Sequence, residues 1–313
     1  MGSSPEIFRI PDFLSMCEYA SSLNPCYKAA GVESLTWFDS FSVLTPRKRT
    51  MFIHSNADLL VAYTYPYAGY DEFRTCLDFI SLLFALDEIT DDQTGTDARL
   101  TMASFLNTLA GDPCDGSVIS RMTAEAYIDA VCREAELRER GEILGLDEYR
   151  LLRRENIALR LCFSLFEYCF GFDLPNEVFA DPTFMRMFYG AVDMIALAND
   201  VYSYNMEQAR EGHSCSNIVT VIMKEKGFSL QRTIDYIGEE FRSLITDFAD
   251  DKETLRSFGE KVDTDVYLFI SALETWIVGN IFWSFSTERY FGKDHEEVRK
   301  TLTVRLAKQV GSS

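Results

Sequence analysis

The sequence has few histidines, few prolines and no paired cysteine motif. Its 313 residues include only His54, His213 and His295, which lie far apart, and its eight cysteines form no Cys-x-x-Cys pair. Zinc centres and covalent haem attachment therefore have no recognisable motif in this chain. We interpret the cysteines as reduced, mostly buried thiols.

Basic residues are also scarce, with 30 Lys and Arg against 49 Asp and Glu, for a net charge of −19. A surface of this sign repels the phosphates of nucleic acids and of anionic membranes, so neither is an expected partner. A polyanionic ligand would need metal ions between itself and the protein. The first residues lack the apolar stretch of a secretory signal peptide, which predicts a cytoplasmic protein.

One apolar stretch, Val266 to Phe285, is nearly long enough to cross a bilayer, but Glu274 and Asn280 interrupt it. A carboxylate at the centre of a membrane span is unfavourable. The sequence therefore predicts a buried helix here and no membrane span.

No linker rich in Pro, Gly or Ser divides the chain, and no internal repeat is apparent. With 47% hydrophobic residues, a chain of this length can form one large core, and we predict a single domain over residues 1–313. The 13% aromatic content fits either a Phe-rich core or helices that enclose a wide cavity.

Apolar residues recur at spacings of three and four in long segments, and signals for β-strands are poor. This pattern predicts an all-α fold of ten or more helices, separated by Gly- and Pro-containing breaks such as Gly95, Gly111-Asp112-Pro113, Gly141 and Gly227. The predicted helical segments are Leu77–Asp91, Ala124–Gly141, Asp147–Phe170, Asp181–Glu211, Leu230–Ala249 and Thr254–Tyr290.

The segment Asp87-Glu88-Ile89-Thr90-Asp91 follows a strongly apolar helix. Asp87 and Asp91 are four residues apart and so share one helix face, while Glu88 lies about 100° away around the helix. Carboxylates near the C-terminal end of a helix oppose the helix dipole, and a bound cation would relieve that repulsion. The alternative interpretation is a solvated acidic helix end.

Asn199, Ser203 and Glu207 also lie four residues apart, and they follow another apolar stretch. Their amide, hydroxyl and carboxylate oxygens form a ladder of the hard donors that Mg²⁺ prefers, with waters and phosphate oxygens filling the remaining coordination positions. An exposed polar stripe is the alternative. Because both polar clusters follow apolar helices, we expect them to lie at the mouth of one cavity.

Together these motifs resemble those of the class I terpene synthases, and more narrowly the single-domain sesquiterpene cyclases of fungi and bacteria. The aspartate-rich motif would be Asp87 to Asp91, and Asn199-Asp200-Val201-Tyr202-Ser203-Tyr204-Asn205-Met206-Glu207 matches the NDxxSxxxE motif in full. Order and spacing agree over roughly residues 60–295. One departure is Glu88, where the family usually has aspartate.

Three further positions extend the resemblance. Arg289-Tyr290 matches the Arg-Tyr pair near the C-terminus, and Arg210 stands three residues after Glu207, where relatives often have a basic residue. The arginine that senses diphosphate falls on Arg153, although the adjacent Arg154 leaves this assignment ambiguous.

The resemblance implies an α-helical bundle around a central apolar cavity that binds a linear isoprenoid diphosphate. It implies three Mg²⁺ ions, with Mn²⁺ as a substitute, on Asp87, Asp91, Asn199, Ser203 and Glu207. Arg153, Arg210, Arg289 and Tyr290 would bind the diphosphate, and Arg153, Arg289 and Tyr290 would assist its departure. Phe79, Phe84, Trp283 and Phe282 are candidates for the cavity wall, although helical aromatic spacing is more often a core pattern.

In size the chain resembles farnesyl-diphosphate cyclases more than diterpene cyclases, and this resemblance implies farnesyl diphosphate as the substrate. The polar loops after Asp91 and after Glu207, the latter Glu211-Gly212-His213-Ser214, are candidate lids. A chain-elongating prenyltransferase is the main alternative, but its second motif is normally another DDxxD. A class II cyclase would need DxDD, and a calcium-binding helical module would need an EF-hand loop; the sequence has neither. Oligomeric state, product and first ring closure, 1,10 or 1,11, stay open.

Overall fold

The computed structural model describes residues 7–111, 118–210 and 213–308, except for the side chains of 106–111, 118–123 and 214. The predicted breaks at Asp112 and Pro113 and the loop residues Glu211 and Gly212 lie outside these ranges. The described part is built from helices, which confirms the all-α prediction. In chain order they are α1 (Phe13–Met16), α2 (Tyr27–Ser40), α3 (Pro46–Ser55), α4 (Ala57–Thr64), α5 (Tyr70–Thr90), α6 (Gly95–Gly111), α7 (Val118–Arg140), α8 (Leu146–Asn156), α9 (Leu159–Phe170), α10 (Asn176–Phe179), α11 (Pro182–Gln208), α12 (Ile218–Lys226), α13 (Leu230–Thr254), α14 (Glu260–Ser286) and α15 (His295–Thr301).

Two short 3₁₀ turns, His213–Ser216 and Gly292–Asp294, complete the helical structure. The strands β1 (Ile7–Arg9) and β2 (Thr303–Arg305) form an antiparallel pair in which Ile7 lies opposite Arg305. The sequence did not predict this pair, because a strand of three residues is too short to establish an alternating pattern.

The long helices α11 and α14 pack against each other, with α13 against α11, and α4 packs against both α14 and α5. Their inner faces belong to one large buried cluster that is rich in phenylalanine. Phe166 of α9 and Phe269 of α14 meet edge to face, for example, with ring centroids 5.1 Å apart. That the whole chain forms a single domain stays a prediction.

Helix ends follow local chemistry. The Asp181 side chain caps α11 by accepting hydrogen bonds from the amides of Thr183 (2.9 Å) and Phe184 (3.2 Å), and Pro182 occupies the first helical position. Gly141 and Gly227 end α7 and α12 with positive φ angles of 60° and 65°, a conformation that glycine adopts without steric cost. The breaks predicted at these two glycines are confirmed.

The prediction of one continuous helix over Asp147–Phe170 is wrong. The chain ends α8 at Asn156 and begins α9 at Leu159, with Ala158 in the left-handed region at φ 60°. No glycine or proline marks this break, so it could not be predicted from the sequence. It turns the last residues of α8, including Arg153 and Asn156, toward a cavity.

The prediction of one helix over Thr254–Tyr290 is also wrong at both ends. Helix α13 continues to Thr254, residues 255–259 form a loop, and α14 begins at Glu260 after Gly259, whose φ is 106°. Helix α14 ends at Ser286, so Arg289 and Tyr290 lie in the segment that follows it.

Helix α14 is long enough to cross a membrane, and its most apolar 18-residue window has a mean hydropathy of 1.4. Within the described structure, 67% of that window is buried against other parts of the protein. Its apolar character is therefore accounted for by core packing, as the sequence analysis expected of a buried helix.

Candidate active site

The two oxygen ladders lie at one polar recess. Asp87 and Asp91 reach it from the C-terminal end of α5, and Asn199, Ser203 and Glu207 reach it from α11. All five side chains line its wall, so the expectation that the two clusters share one cavity mouth agrees with the geometry. Glu88, Arg210, Arg289 and Tyr290 line the same recess.

A largely apolar chamber of ≈ 150 Å³ adjoins the recess. Leu60, Ile80, Leu83, Phe84 and Trp283 are among its lining residues. Six residues line both spaces: Asp87, Arg153, Asn156, Asn199, Arg289 and Tyr290. The site thus has a charged mouth above a hydrocarbon-lined interior, an arrangement that suits a ligand with an anionic head and an apolar tail.

Arg153 is held on the ladder of α11. Its guanidinium donates to Asn199 Oδ1 at 2.7 Å and to Asp200 Oδ1 at 3.0 Å, and a third bond reaches Asn156 Oδ1 at 3.2 Å. Planar guanidinium groups form such fixed multiple bonds better than lysine does. Arg153 therefore enters the site with its orientation already set.

Arg154 faces elsewhere. Its guanidinium donates to both carboxylate oxygens of Asp193, at 2.8 and 2.6 Å, and lies 4.9 Å from the centre of the Tyr189 ring. It lines neither the recess nor the chamber. Of the two adjacent arginines, the structure places only Arg153 in the site.

Asp200, the second residue of the NDxxSxxxE segment, is an anchor and is only 2% exposed. Its Oδ2 accepts hydrogen bonds from the Tyr149 hydroxyl and, at 3.0 Å, from the Ile218 amide, while Oδ1 binds Arg153. No role for this residue could be predicted from the sequence. Only its tertiary contacts define its role as the support of Arg153.

Arg289 and Tyr290 close the mouth from the segment after α14. Arg289 lies 3.5 Å from Asp87 Oδ2, and its guanidinium carbon is 4.9 Å from the centre of the Phe84 ring. The Tyr290 hydroxyl accepts a 2.7 Å hydrogen bond from Asn199 Nδ2. These contacts join the segment after α14 to both ladders.

Asp91 is surrounded by cationic and ionisable groups. Arg138 lies 3.3 Å from its Oδ1, while Arg210 and His213 lie 3.9 and 4.0 Å from its Oδ2. Burial, followed by the charges of Arg138 and Arg210, lowers the pKa of His213 to about 4, so its imidazole is neutral at pH 7.

Burial raises the pKa values of several carboxylates in the recess. Burial, with the charge of Asp91, raises the pKa of Asp87 to about 6, and burial also raises that of Asp91 to about 6. Burial and the charge of Asp200 raise the pKa of Glu207 to about 7. Asp87 keeps 56% of its side-chain area accessible to solvent.

These donors fit a hard divalent cation. They are all oxygen atoms, and the raised pKa values indicate negative charge that a cation would stabilise. Among the residues that the structure describes, no three His, Cys, Asp or Glu side chains converge on one point. This agrees with Mg²⁺ sites that use one or two carboxylates together with water and substrate phosphate oxygens.

Two of the predicted aromatic residues line the chamber, and two do not. Phe84 and Trp283 are in its wall and meet edge to face at 5.9 Å. Phe79 does not line the chamber. Ile80 and Leu83 line it instead, because they lie seven and four residues before Asp87 and so share its helix face. Phe282 instead stacks on Tyr63 at 5.7 Å.

The sequence analysis missed several residues of the site. Glu134 and Arg138 reach the recess from α7, and Asn156 joins Glu134 to Arg153, since its Nδ2 donates to Glu134 Oε2 at 2.7 Å. Tyr127 and Asn280 line the chamber. None belongs to a recognisable motif. The only sequence signal for Glu134 and Arg138 is that they lie four residues apart on a predicted helix.

The sequence of this chain is similar to those of known proteins. Residues 120–247 match the family model described as terpene synthase family 2, C-terminal metal binding. A Coprinopsis cinerea protein named linoleate 10R-lipoxygenase COP4 is 44% identical, over 96% of this chain and 93% of its own length. Two Cyclocybe aegerita proteins, bifunctional terpene synthase Agr4 and viridiflorene synthase Agr2, are 42% and 36% identical over 98% and 97% of this chain, and 95% and 87% of their own.

The fold has solved counterparts. Hedycaryol synthase in complex with nerolidol superposes with a TM-score of 0.76 at 22% identity, covering 88% of this chain and 100% of that structure. At this identity the match establishes the fold, which is the class I terpenoid synthase fold. From the extent and identity of the relatives, this chain belongs to the terpene synthase family.

Proposed function

We propose that the protein is a Mg²⁺-dependent sesquiterpene synthase, a carbon–oxygen lyase that ionises farnesyl diphosphate and cyclises the resulting allylic cation to a C15 terpene with release of diphosphate. One observation carries this proposal: a recess lined by two oxygen ladders and four arginines opens into an apolar chamber, and the two spaces share six residues. The reacting carbon–oxygen bond would lie at this junction.

The residues at the junction would bind and orient the diphosphate. Arg153, Arg210 and Arg289 supply positive charge, and the Tyr290 hydroxyl supplies a hydrogen-bond donor, where negative charge grows as the bond to the allylic carbon breaks. Because Arg153 is already fixed by Asn199 and Asp200, little reorganisation is needed when the substrate enters.

Asp87, Asp91, Asn199, Ser203 and Glu207 would hold the metal, and we propose three Mg²⁺ ions, for which Mn²⁺ can substitute. When bound, Mg²⁺ would neutralise the diphosphate charge and so make it a better leaving group.

The chamber would protect the cation from water. Leu60, Ile80, Leu83, Phe84 and Trp283 form an apolar part of its wall, and the aromatic faces of Phe84 and Trp283 can stabilise positive charge. No histidine lines the chamber. We propose that the released diphosphate, retained by the arginines at the mouth, accepts the final proton.

The substrate class follows from two lines of support. The relatives of this chain include proteins named sesquiterpene synthases, such as sesquiterpene synthase 6 of Postia placenta, which is 32% identical over 96% of this chain and 95% of its own length. The ladder on α11 is Asn, Ser and Glu, unlike the second DDxxD of an elongating prenyltransferase. We place the reaction in the cytoplasm, with α14 in the core and no membrane span.

Incubation with geranyl, farnesyl and geranylgeranyl diphosphate in parallel, each with and without isopentenyl diphosphate, tests the proposal. Farnesyl diphosphate should give the highest kcat/KM and a cyclic C15 product. Longer prenyl diphosphates formed only with isopentenyl diphosphate would instead identify an elongating prenyltransferase. A linoleate and oxygen-uptake arm tests the activity named for the Coprinopsis relative, and the proposal expects no oxygen consumption.

A further inference from the structure

Asn217 is the first residue before α12 and has no solvent exposure. Its side-chain Oδ1 accepts a 2.9 Å hydrogen bond from the Val219 amide and so caps the helix. Capping accounts for only one end of the carboxamide. The other end points toward α11, which carries the second ladder.

The Nδ2 group of Asn217 bonds to the ladder of α11. It donates to the backbone carbonyl of Asp200 at 2.8 Å and to Glu207 Oε2 at 2.9 Å, and it lies 3.4 Å from Ser203 Oγ. Its two hydrogens therefore meet one oxygen near the start of the ladder segment and one from its last ligand. A carboxylate that accepts such a bond has one oxygen fixed and loses rotational freedom.

The next residue reinforces this connection. The Ile218 amide donates to Asp200 Oδ2 at 3.0 Å, and the other oxygen of Asp200 holds Arg153. The start of α12 therefore supports both a metal-ligand candidate, Glu207, and the arginine of the site. Removal of a residue that hydrogen-bonds to a metal ligand typically lowers metal affinity or activity by about 10- to 100-fold.

We propose that Asn217 is a positioning residue of the metal site, which orients the Glu207 carboxylate and ties the start of α12 to the second ladder. The inference rests on the proposed function for the identity of the metal-bound ligand, a diphosphate. Asn217 lies outside the NDxxSxxxE segment but helps to set the geometry of that segment.

The test variant is Asn217→Asp, because aspartate is an equally good helix cap but cannot donate from its second oxygen. Its carboxylate would face the Asp200 carbonyl and the Glu207 carboxylate, so the positioning bond is replaced by repulsion. The control is Ser229→Ala, which removes the cap of α13, where Ser229 Oγ accepts from the Arg232 amide at 3.4 Å. The control lowers helix stability without touching the site.

The first readout is the Mg²⁺ concentration that gives half of the maximal thermal stabilisation in the presence of inorganic diphosphate. We expect it to rise about 10- to 100-fold in Asn217→Asp and to stay within twofold of wild type in Ser229→Ala. The Mg²⁺ concentration for half-maximal activity should rise in parallel, with kcat at saturating Mg²⁺ within a fewfold of wild type. A purely structural role would lower the melting temperature of both variants but leave both Mg²⁺ midpoints unchanged.

Unchanged midpoints in a folded Asn217→Asp protein would overturn the proposal, as would the absence of any stabilisation of the wild type by Mg²⁺ and diphosphate. If Asn217→Asp does not fold, Asn217→Ser, which also retains a capping oxygen, gives the same decision. Stabilisation by Mg²⁺ and diphosphate without terpene formation would refute the proposed function while leaving the role of Asn217 decided by the midpoints.

Discussion

Arg153 and Asp200 form a nearly buried ion pair, with Arg153 NH2 2.7 Å from Asp200 Oδ1 and side-chain exposures of 16% and 3%. The pair joins α8 to α11 at the site. The adjacent Arg154 pairs with Asp193 at 2.6 Å, but those side chains are 33% and 23% exposed. Two neighbouring arginines thus make similar bonds in different dielectric surroundings. The same substitution can therefore be compared at a buried pair and at a partly exposed pair.

Asp200→Asn should destabilise the fold by about 3 kcal/mol, because breaking a buried ion pair leaves an uncompensated charge. Asp193→Asn should cost at most about 1 kcal/mol, since partly exposed pairs contribute little. Urea denaturation of the two metal-free variants measures both values. Equal losses of unfolding free energy in the two variants would mean that the Arg153–Asp200 pair contributes no more to stability than the Arg154–Asp193 pair.

Arg153→Lys should lower kcat/KM for farnesyl diphosphate by about 100-fold or more, because lysine cannot reproduce the forked contacts and loses a fixed donor at the developing charge. Arg154→Lys should change kcat/KM by less than about threefold, since Arg154 does not line the site. Steady-state kinetics of the pair decide which arginine meets the diphosphate. The larger loss in Arg154→Lys would reverse the assignment.

Glu207→Gln should abolish metal-dependent activity and yet stabilise the metal-free protein at neutral pH. The pKa of Glu207 is raised from 4.5 to about 7 in the folded state. The folded state therefore holds its proton over a range where the unfolded state has lost it, and stability falls as pH rises between these values. At one pKa unit per 1.4 kcal/mol, the full cost above pH 7 is roughly 3 kcal/mol.

The melting temperature of Glu207→Gln should consequently match that of wild type near pH 4 and exceed it increasingly up to about pH 8. Scans of both metal-free proteins across this range measure the difference. A constant difference at all pH values would show that the Glu207 carboxylate titrates normally in the folded protein.

Gly279→Ala should destabilise the protein and change its products. A Cβ at Gly279 would lie 2.8 Å from the Tyr63 carbonyl oxygen, so α14 would have to move away from α4, and the chamber residues Trp276, Asn280 and Trp283 would move with it. Such overpacking typically costs about 1–3 kcal/mol.

Gly190→Ala is the matched control, because a Cβ there meets no atom within 4 Å in the middle of α11. It should stabilise the protein by roughly 0.5–1 kcal/mol through helix propensity. Urea denaturation and product analysis by gas chromatography measure both effects. Loss of stability in Gly190→Ala, or an unaltered Gly279→Ala enzyme, would contradict this description of helix packing.

The sequence predicted those features that depend on local spacing. The ladders of α5 and α11 were predicted because positions four residues apart share a helix face, and the side chains do line one recess. The helical class and the glycine-marked ends of α7 and α12 followed from periodicity and from the conformational freedom of glycine.

The remaining features arise from tertiary contacts. The break at Ala158 has no glycine or proline to signal it, yet it places Arg153 and Asn156 at the chamber. Arg138 reaches Asp91 only because α7 packs beside the end of α5. The role of Asp200 depends on its contact with Arg153, 47 residues away in the sequence, and that of Asn217 on its contact with Glu207, 10 residues away. No short motif encodes either contact.

The most direct test of the central claim is the volatile product formed from farnesyl diphosphate by the purified protein with and without Mg²⁺, measured by gas chromatography and mass spectrometry. A sesquiterpene synthase should form a cyclic C15 terpene and an equal amount of diphosphate with Mg²⁺, and neither in the metal-free control. Folded protein that forms no C15 terpene at saturating Mg²⁺ would contradict this claim.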